Sequence, residues 1–242
     1  MTTERNAGVV SPDYPPYEEG VHPPYYFERY RNSTTRAPTR PLWPLERTVS
    51  ELTGPLFSQD EVREGENDLS HGPDGAPAIG QLMIVAGRVL DQDGRPVRGT
   101  LVELWQANAA GRYKHPVDQH EAPLDPNFHG AGRCVTDDEG RYVFRTIKPG
   151  AYPVPNTGNW WRPPHIHFSL FGPAFMTRLI TQMYFPGDPL NEIDHILHSI
   201  PDARARKRLM AAHDRGVGID EVALGFRFDI VLRGRHETPM VD

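Results

Sequence analysis

The sequence predicts a mainly β protein: a mixed β-sandwich of about eight short strands with long loops, a proline-rich N-terminal arm and one short late helix. Three observations carry that expectation. Short segments rich in Val, Ile, Leu, Phe and Tyr recur between turn-forming residues from Leu82 onward. Asp93-Gly94 and Pro149-Gly150 mark turns between them, because glycine supplies the backbone freedom a tight turn needs. Proline is abundant, with 25 among 242 residues, about twice the usual share; with 22 glycines it still stays below the level of a disordered chain.

Residues 1–45 form the arm. Tyr14-Pro15-Pro16-Tyr17 and His22-Pro23-Pro24-Tyr25-Tyr26-Phe27 cannot build a long helix, and so many aromatics argue against free disorder. The segment reads as an extended strip laid along a surface, a partner chain being one such surface. Residues 46–242 read as a single β-sandwich unit that opens with a loop reaching Gly80. The first strand is 82–90, followed by the Asp91-Gln92-Asp93-Gly94 turn and a second strand at 100–106. Residues 107–131 show no period, and connections that long inside a domain are usually functional. Strands follow at 132–136, 141–147 and 151–154, then at 165–170 and 177–185. Residues 201–213 have helical composition, with Pro201 in the first turn. Last comes a strand at 226–233, in which Phe226, Phe228, Ile230 and Leu232 share one face at period two.

Composition narrows the function classes. Net charge is −6 with scattered charges, so no basic stripe points to nucleic acid. The longest apolar run, Leu82 to Ala86, is too short to span a bilayer. The first residues hold no apolar signal core, so export is not expected. One cysteine, Cys134, precludes an intrachain disulfide and fits a reducing cytoplasm. A metal here must be held by His, Tyr, Asp or Glu.

The strand at 165–170 carries the chemistry. Side chains alternate, so Ile166, Phe168 and Leu170 take an apolar core face while His165 and His167 share the other. Pro163 and Pro164 suit neither helix nor central ladder, which starts the strand at His165. A His-x-His pair can grip one ion; most such pairs are polar residues on a wet strand face. Tyr113 in the long loop and Tyr152 beyond the Pro149-Gly150 turn are, taken singly, ordinary packed rings. Joined to the histidines they can make a two-Tyr, two-His site. Phenolate is a hard anionic donor suited to a trivalent ion, and two of them favour ferric over ferrous iron. Glu192-x-x-His195, with His198 nearby, resembles half of a di-iron pattern but lacks its second half. His115, His120 and His129 share the long loop with Tyr113 as candidate substrate contacts.

Taken together, Leu101-Val102-Glu103-Leu104-Trp105-Gln106-Ala107-Asn108, Gly111-Arg112-Tyr113, Pro123-Leu124-Asp125-Pro126, Lys148-Pro149-Gly150-Ala151-Tyr152-Pro153, Arg162-Pro163-Pro164-His165-Ile166-His167 and Phe226-Arg227-Phe228-Asp229 resemble the intradiol ring-cleaving dioxygenases. The resemblance covers roughly residues 30–235. It implies a mixed β-sandwich with one mononuclear non-haem Fe(3+) per chain, a catecholic substrate and O2. The implied ligands are Tyr113 and His165 in the equatorial plane, with Tyr152 and His167 axial. Tyr152 would leave the iron and take up a substrate proton. Arg162 would stabilise anionic character on the ring, Gln182 would line the pocket and Tyr30 would touch substrate. Catechol and hydroxyquinol branches of the family carry a long helical N-terminal dimerisation domain. The proline-broken N-terminus here favours the protocatechuate branch, whose β chains pair with a related α chain lacking the iron ligands. Such β chains often carry Trp two residues after the axial tyrosine. Val154 stands there instead, which leaves the preference for ring substituents open.

Two rival readings use the same residues. Val85-Ala86-Gly87-Arg88-Val89 and Thr136-Asp137-Asp138-Glu139-Gly140 also fit transthyretin-like or carbohydrate-binding sandwiches that bind without catalysing. Such modules have no reason to gather Tyr113, Tyr152, His165 and His167. A zinc hydrolase could use the histidine pair, but two tyrosines are poor zinc ligands.

Overall fold

In the computed structural model, residues 19–41, 62–172 and 178–241 are described. Tyr14 to Tyr17 of the arm, the start of the 46–80 loop and Thr177 lie outside them. Among the described residues eleven strands are found: β1 (Leu82–Leu90), β2 (Leu101–Trp105), β3 (Ala131–Val135), β4 (Arg141–Ile147), β5 (Tyr152–Pro153), β6 (Trp161–Arg162), β7 (His165–Phe171), β8 (Arg178–Tyr184), β9 (Ala212–His213), β10 (Leu224–Arg227) and β11 (Ile230–Val231). Two short helices are α1 (Ser33–Arg36) and α2 (Ala203–Lys207). Among the described residues no helix is long and apolar enough to cross a membrane.

The strands form a sandwich. In one sheet β1 is central: β4 pairs with it antiparallel, while β10 and β11 pair with it parallel and β9 flanks β10. The other sheet is antiparallel in the order β3-β2-β7-β8. Their facing sides hold the main core, with Met83, Val85, Phe144, Phe226 and Phe228 against Val102, Leu104, Ile166, Phe168 and Leu170. The β7 contribution follows from alternation: Ile166, Phe168 and Leu170 are fully buried, each contributing about 1.5–3 kcal/mol. The outer face of the second sheet is covered as well. Val21, Trp160, Tyr184, Ile196, Leu197, Ile200 and Leu209 make a second apolar cluster there. The face of β7 that carries the histidines therefore opens onto a second interior.

Three sequence expectations change. The strand expected at 226–233 divides into β10 and β11, which keep one register along β1. Between them, Phe228 N–H still donates to the Ala86 carbonyl, but the Phe228 carbonyl accepts the Tyr142 hydroxyl and the Arg88 N–H goes to Asp229 Oδ1, so side chains replace the next ladder bond. Phe226, Phe228 and Ile230 still share the buried face. The helix expected over 201–213 shrinks to α2, capped by Asp202 rather than begun at Pro201. Beyond it the chain unwinds because the edge of β8 needs partners: Tyr184 donates to the Leu209 carbonyl and accepts from Ala211 N–H. Ala212–His213 then joins β10. The ribbon of β5 and β6, with Tyr152 opposite Arg162, has a second strand that propensity did not reveal.

Gly87 is where β1 passes closest to the divided strand. A Cβ there would lie 1.8 Å from the Phe228 carbonyl oxygen and 2.9 Å from the Tyr142 hydroxyl. Gly87→Ala is expected to cost more than about 2 kcal/mol in urea denaturation, because buried backbone has nowhere to move. A loss below about 0.5 kcal/mol would show that the closeness is not structural.

Candidate metal centre

The sheet register assembles half of the site. Trp105, His167 and Gln182 stand in one row across β2, β7 and β8, and His165 and Tyr184 stand in the next. All five take the face away from the main core. Trp105 stacks flat on His167, with ring centroids 4.8 Å apart and planes 7° apart. His165 Nδ1 meets the Pro163 carbonyl oxygen at 2.7 Å. That carbonyl takes the Nδ1 proton, which turns the Nε2 lone pair into the site.

The tyrosines arrive on irregular backbone, and local chemistry explains how. Asn108 Oδ1 accepts the N–H groups of Ala110 and Arg112, and its main-chain carbonyl accepts those of Gly111 and Gly150. One residue thus ties the start of the long loop to the turn before β5, its side chain holding the loop and its main-chain carbonyl the turn. Gly111 has φ of 79°, and a Cβ on it would lie 2.1 Å from the Ala151 carbonyl oxygen. At Gly150 a Cβ would lie 2.5 Å from the Ala109 carbonyl oxygen. Only glycines let the two segments approach this closely. Asp118 Oδ2 then accepts the Tyr113 N–H, fixing the loop around that ring. Tyr113 and Tyr152 meet edge-to-face at 5.4 Å.

All four predicted ligands converge. His165 Nε2 and His167 Nε2 are 3.2 Å apart, and Tyr152 Oη is 3.3 Å from His165 Nε2. The Tyr113 ring lies 6.4 Å from His167. Tyr113 Oη is buried and has no hydrogen-bond partner among the described residues. Burial, and then the neighbouring Tyr152, lift its pKa well above the usual phenol value. A buried hydroxyl left alone costs about 1–3 kcal/mol, so this atom asks for a partner. Both imidazoles are held neutral. For His165 burial dominates and the Arg162 charge adds to it; for His167 burial dominates, followed by His165 and Arg162.

These donors fit a metal ion. Two atoms about 2.1 Å from one ion, at about 100°, stand about 3.2 Å apart, which is the Nε2–Nε2 separation. Neutral imidazoles present lone pairs, and a cation reverses the penalty on phenolate formation that burial imposes. Among the described residues no three His, Cys, Asp or Glu side chains gather in a metal-binding group, so an ion held by this histidine pair would take further donors from the tyrosines beside it. That donor set disfavours the zinc hydrolase.

Arg162 lies beside this cluster, wholly enclosed. Its Nε and Nη2 engage Asp194 Oδ1 and Oδ2 at 3.2 and 3.0 Å. Nη2 also reaches Gln182 Oε1 and Tyr184 Oη, each at 2.8 Å, and Nη1 faces His165 Nε2 at 3.1 Å. Burial works against the charge, but its oxygen neighbours outweigh it and hold Arg162 firmly protonated. Tyr184 is itself kept in the phenol form by burial, so the balancing negative charge is that of Asp194. Gln182 Nε2 is buried without a partner. The sequence reading missed Tyr184 and Asp194. The His-x-His register would have revealed Tyr184; no local signal marks Asp194.

The other candidates go elsewhere. Tyr30 packs edge-on against Trp160, and Val154 lies against the same cluster. His195 stacks on Trp160 at 4.6 Å, His198 meets the Asn191 carbonyl and Glu192 is exposed, which dissolves the half di-iron pattern. His120 touches Trp161, while His115 and His129 are exposed.

Comparison with known proteins gives a consistent picture. A family model described as Dioxygenase matches residues 52–234. The protocatechuate 3,4-dioxygenase β chain of Burkholderia cepacia is 55% identical over 221 residues, covering 90% of this chain and 93% of that one. The α chain of that enzyme from Pseudomonas putida is 32% identical over 167 residues, covering 68% and 78%. Among solved structures, 3-chlorocatechol 1,2-dioxygenase from Rhodococcus opacus matches with a TM-score of 0.54 at 25% identity, covering 76% and 72%.

Neutral buried histidines set a pH dependence. Their folded pKa values lie well below the ordinary 6.5. The unfolded chain therefore binds more protons as pH falls through about 6.5, and stability must fall with it. Metal-free protein is expected to lose up to about 1.4 kcal/mol per histidine per pH unit between about pH 6.5 and 5.5. A urea midpoint that stays flat across that window would mean the imidazoles charge in place.

Proposed function

The chain belongs to the intradiol ring-cleaving dioxygenases, and on that footing we propose that it opens protocatechuate between its two hydroxylated carbons with O2. The product is 3-carboxy-cis,cis-muconate. The C–C bond between the hydroxylated carbons breaks, and each of those carbons becomes a carboxylate carrying one oxygen from O2. Such a reaction belongs to aromatic catabolism. One observation supports it above the rest: two phenols and two neutral imidazoles converge, with a buried Tyr113 Oη that has no hydrogen-bond partner among the described residues.

Family members generally use non-haem ferric iron. Here Tyr113, Tyr152, His165 and His167 would hold one Fe(3+) per chain. Bound there, it supplies Lewis acidity that draws electron density from a catecholate. Tyr113, fixed by its loop, stays in place as a permanent donor. Tyr152, half-buried on a two-residue ribbon, takes a catechol proton on its Oη. Arg162 contributes a fixed positive charge toward which anionic character on the ring can develop. Gln182 Nε2, unpaired within the protein, donates to a substrate oxygen. Tyr30, against Trp160 beside the second cluster, contributes a contact at the edge of the substrate pocket.

The partner is an α chain of the same enzyme, itself a relative of this chain. Val117 and Leu124 on the Tyr113 loop, and Trp161 beside Arg162 on β6, are exposed apolar side chains that a partner could cover. Catechol or hydroxyquinol as substrate is the second reading, supported by Val154, which leaves the wall beside Trp160 lined by a small side chain.

The decisive measurement is the visible spectrum of protein co-expressed with its α chain, before and after anaerobic addition of protocatechuate. A phenolate-to-ferric charge-transfer band that shifts on addition is expected. His165→Ala should abolish the band and turnover together, whereas a binding module would keep its ligand. A colourless protein holding zinc would sink the dioxygenase reading. The β chain alone should not turn over fully; a monodisperse monomer with full activity would remove the α partner.

A further inference from the structure

The activity proposed above uses the charge of Arg162 but not the groups that aim it. From the geometry around that guanidinium we propose that Asp194, assisted by Tyr184, is a positioning residue for ring cleavage. The inference rests on the dioxygenase reading and names a determinant within the same site.

A guanidinium is flat, and which edge a carboxylate grips decides where the remaining nitrogen points. Asp194 grips the edge made by Nε and Nη2, at 3.2 and 3.0 Å. Nη1 is thereby turned toward His165 Nε2, 3.1 Å away. An ion bound at that Nε2 takes the lone pair which Nη1 now faces. The charged Nη1 then stays directed at the site chiefly by the two-point grip of Asp194, with Gln182 Oε1 and Tyr184 Oη on Nη2 beside it.

The carboxylate is itself fixed. Tyr184 Oη lies 3.0 Å from Asp194 Oδ2 and 2.8 Å from Arg162 Nη2, closing a triangle. The Leu197 N–H reaches Oδ2 at 3.3 Å, and the Asp194 carbonyl accepts the His198 N–H at 3.0 Å. Asp194 is fully inaccessible and Arg162 is 4% exposed. A buried pair of this kind is weak evidence for stability, since well-packed apolar residues do as well or better. Its location beside the ligands is better explained by orientation.

A double-mutant cycle in iron-loaded αβ enzyme separates orientation from scaffolding. Asp194→Asn should lower kcat per bound iron by about ten- to a hundredfold, the effect expected of a misplaced catalytic group. KM should move by less than about threefold, and the charge-transfer band should persist. In an Arg162→Gln background the same change should cost less than about twofold, because the group it aims is gone. Asp194→Asn leaves a buried charge unpaired. Should that variant fail to accumulate, Tyr184→Phe in the wild-type and Arg162→Gln backgrounds carries the same cycle, with a smaller loss expected. Equal losses in both backgrounds, or unchanged kcat per iron, would overturn the proposal. Wild-type turnover of protocatechuate, run in parallel, tests the underlying reading separately. If it fails, the substrate reading falls, and the cycle is run with whichever catechol the wild type cleaves.

Discussion

Burial of β7 on both faces is the constraint on which the rest depends. On one side Ile166, Phe168 and Leu170 are sealed into the main core, which fixes the register of the strand. On the other, His165 is buried against Tyr184, which belongs to the second apolar cluster. A one-residue slip would exchange imidazole for aliphatic side chains on both faces at once. The apolar face therefore holds the histidines in place, and the second cluster supplies the dry environment that keeps them neutral.

Dryness sharpens every polar interaction around them. An imidazole that cannot charge presents a lone pair, and a buried phenol without a partner is held at a cost. Both conditions are relieved by a cation bound among them. Arg162 belongs to the same logic with opposite sign, since its charge is tolerable only because Asp194 lies against it. The site thus combines a neutral donor set waiting for positive charge with a compensated positive charge beside it.

Glycine geometry joins the irregular half of the site to the regular half. Asn108 bonds to both Gly111 and Gly150, and the bare faces of those glycines let the Tyr113 loop and the Tyr152 turn touch. Neither tyrosine sits on a long strand, so their precision comes from these close backbone contacts. Both tyrosines are half-buried, Tyr113 held through its N–H by Asp118 and Tyr152 by the β5–β6 ribbon.

Much of this was written locally. Composition between turn signals revealed β1 and β4, and alternation the face assignments of β7, because neither needs distant information. The donor types in Tyr113, Tyr152, His165 and His167 declared hard-metal chemistry. The resemblance named those four, and the fold brings them together. Elements set by long-range demand were not legible. The helix after Pro201 ended early because the β8 edge required Leu209 and Ala211, and the last strand was divided by side chains of Tyr142 and Asp229. Asp194 lay hidden for the same reason. It is 32 residues from Arg162, in a turn-rich segment whose path is set by the second cluster. The sequence by itself determined which atoms could hold a metal and which strand faces would be dry. Only the tertiary structure decided what aims the arginine, because a buried charge chooses its partner from whatever the packing brings within reach.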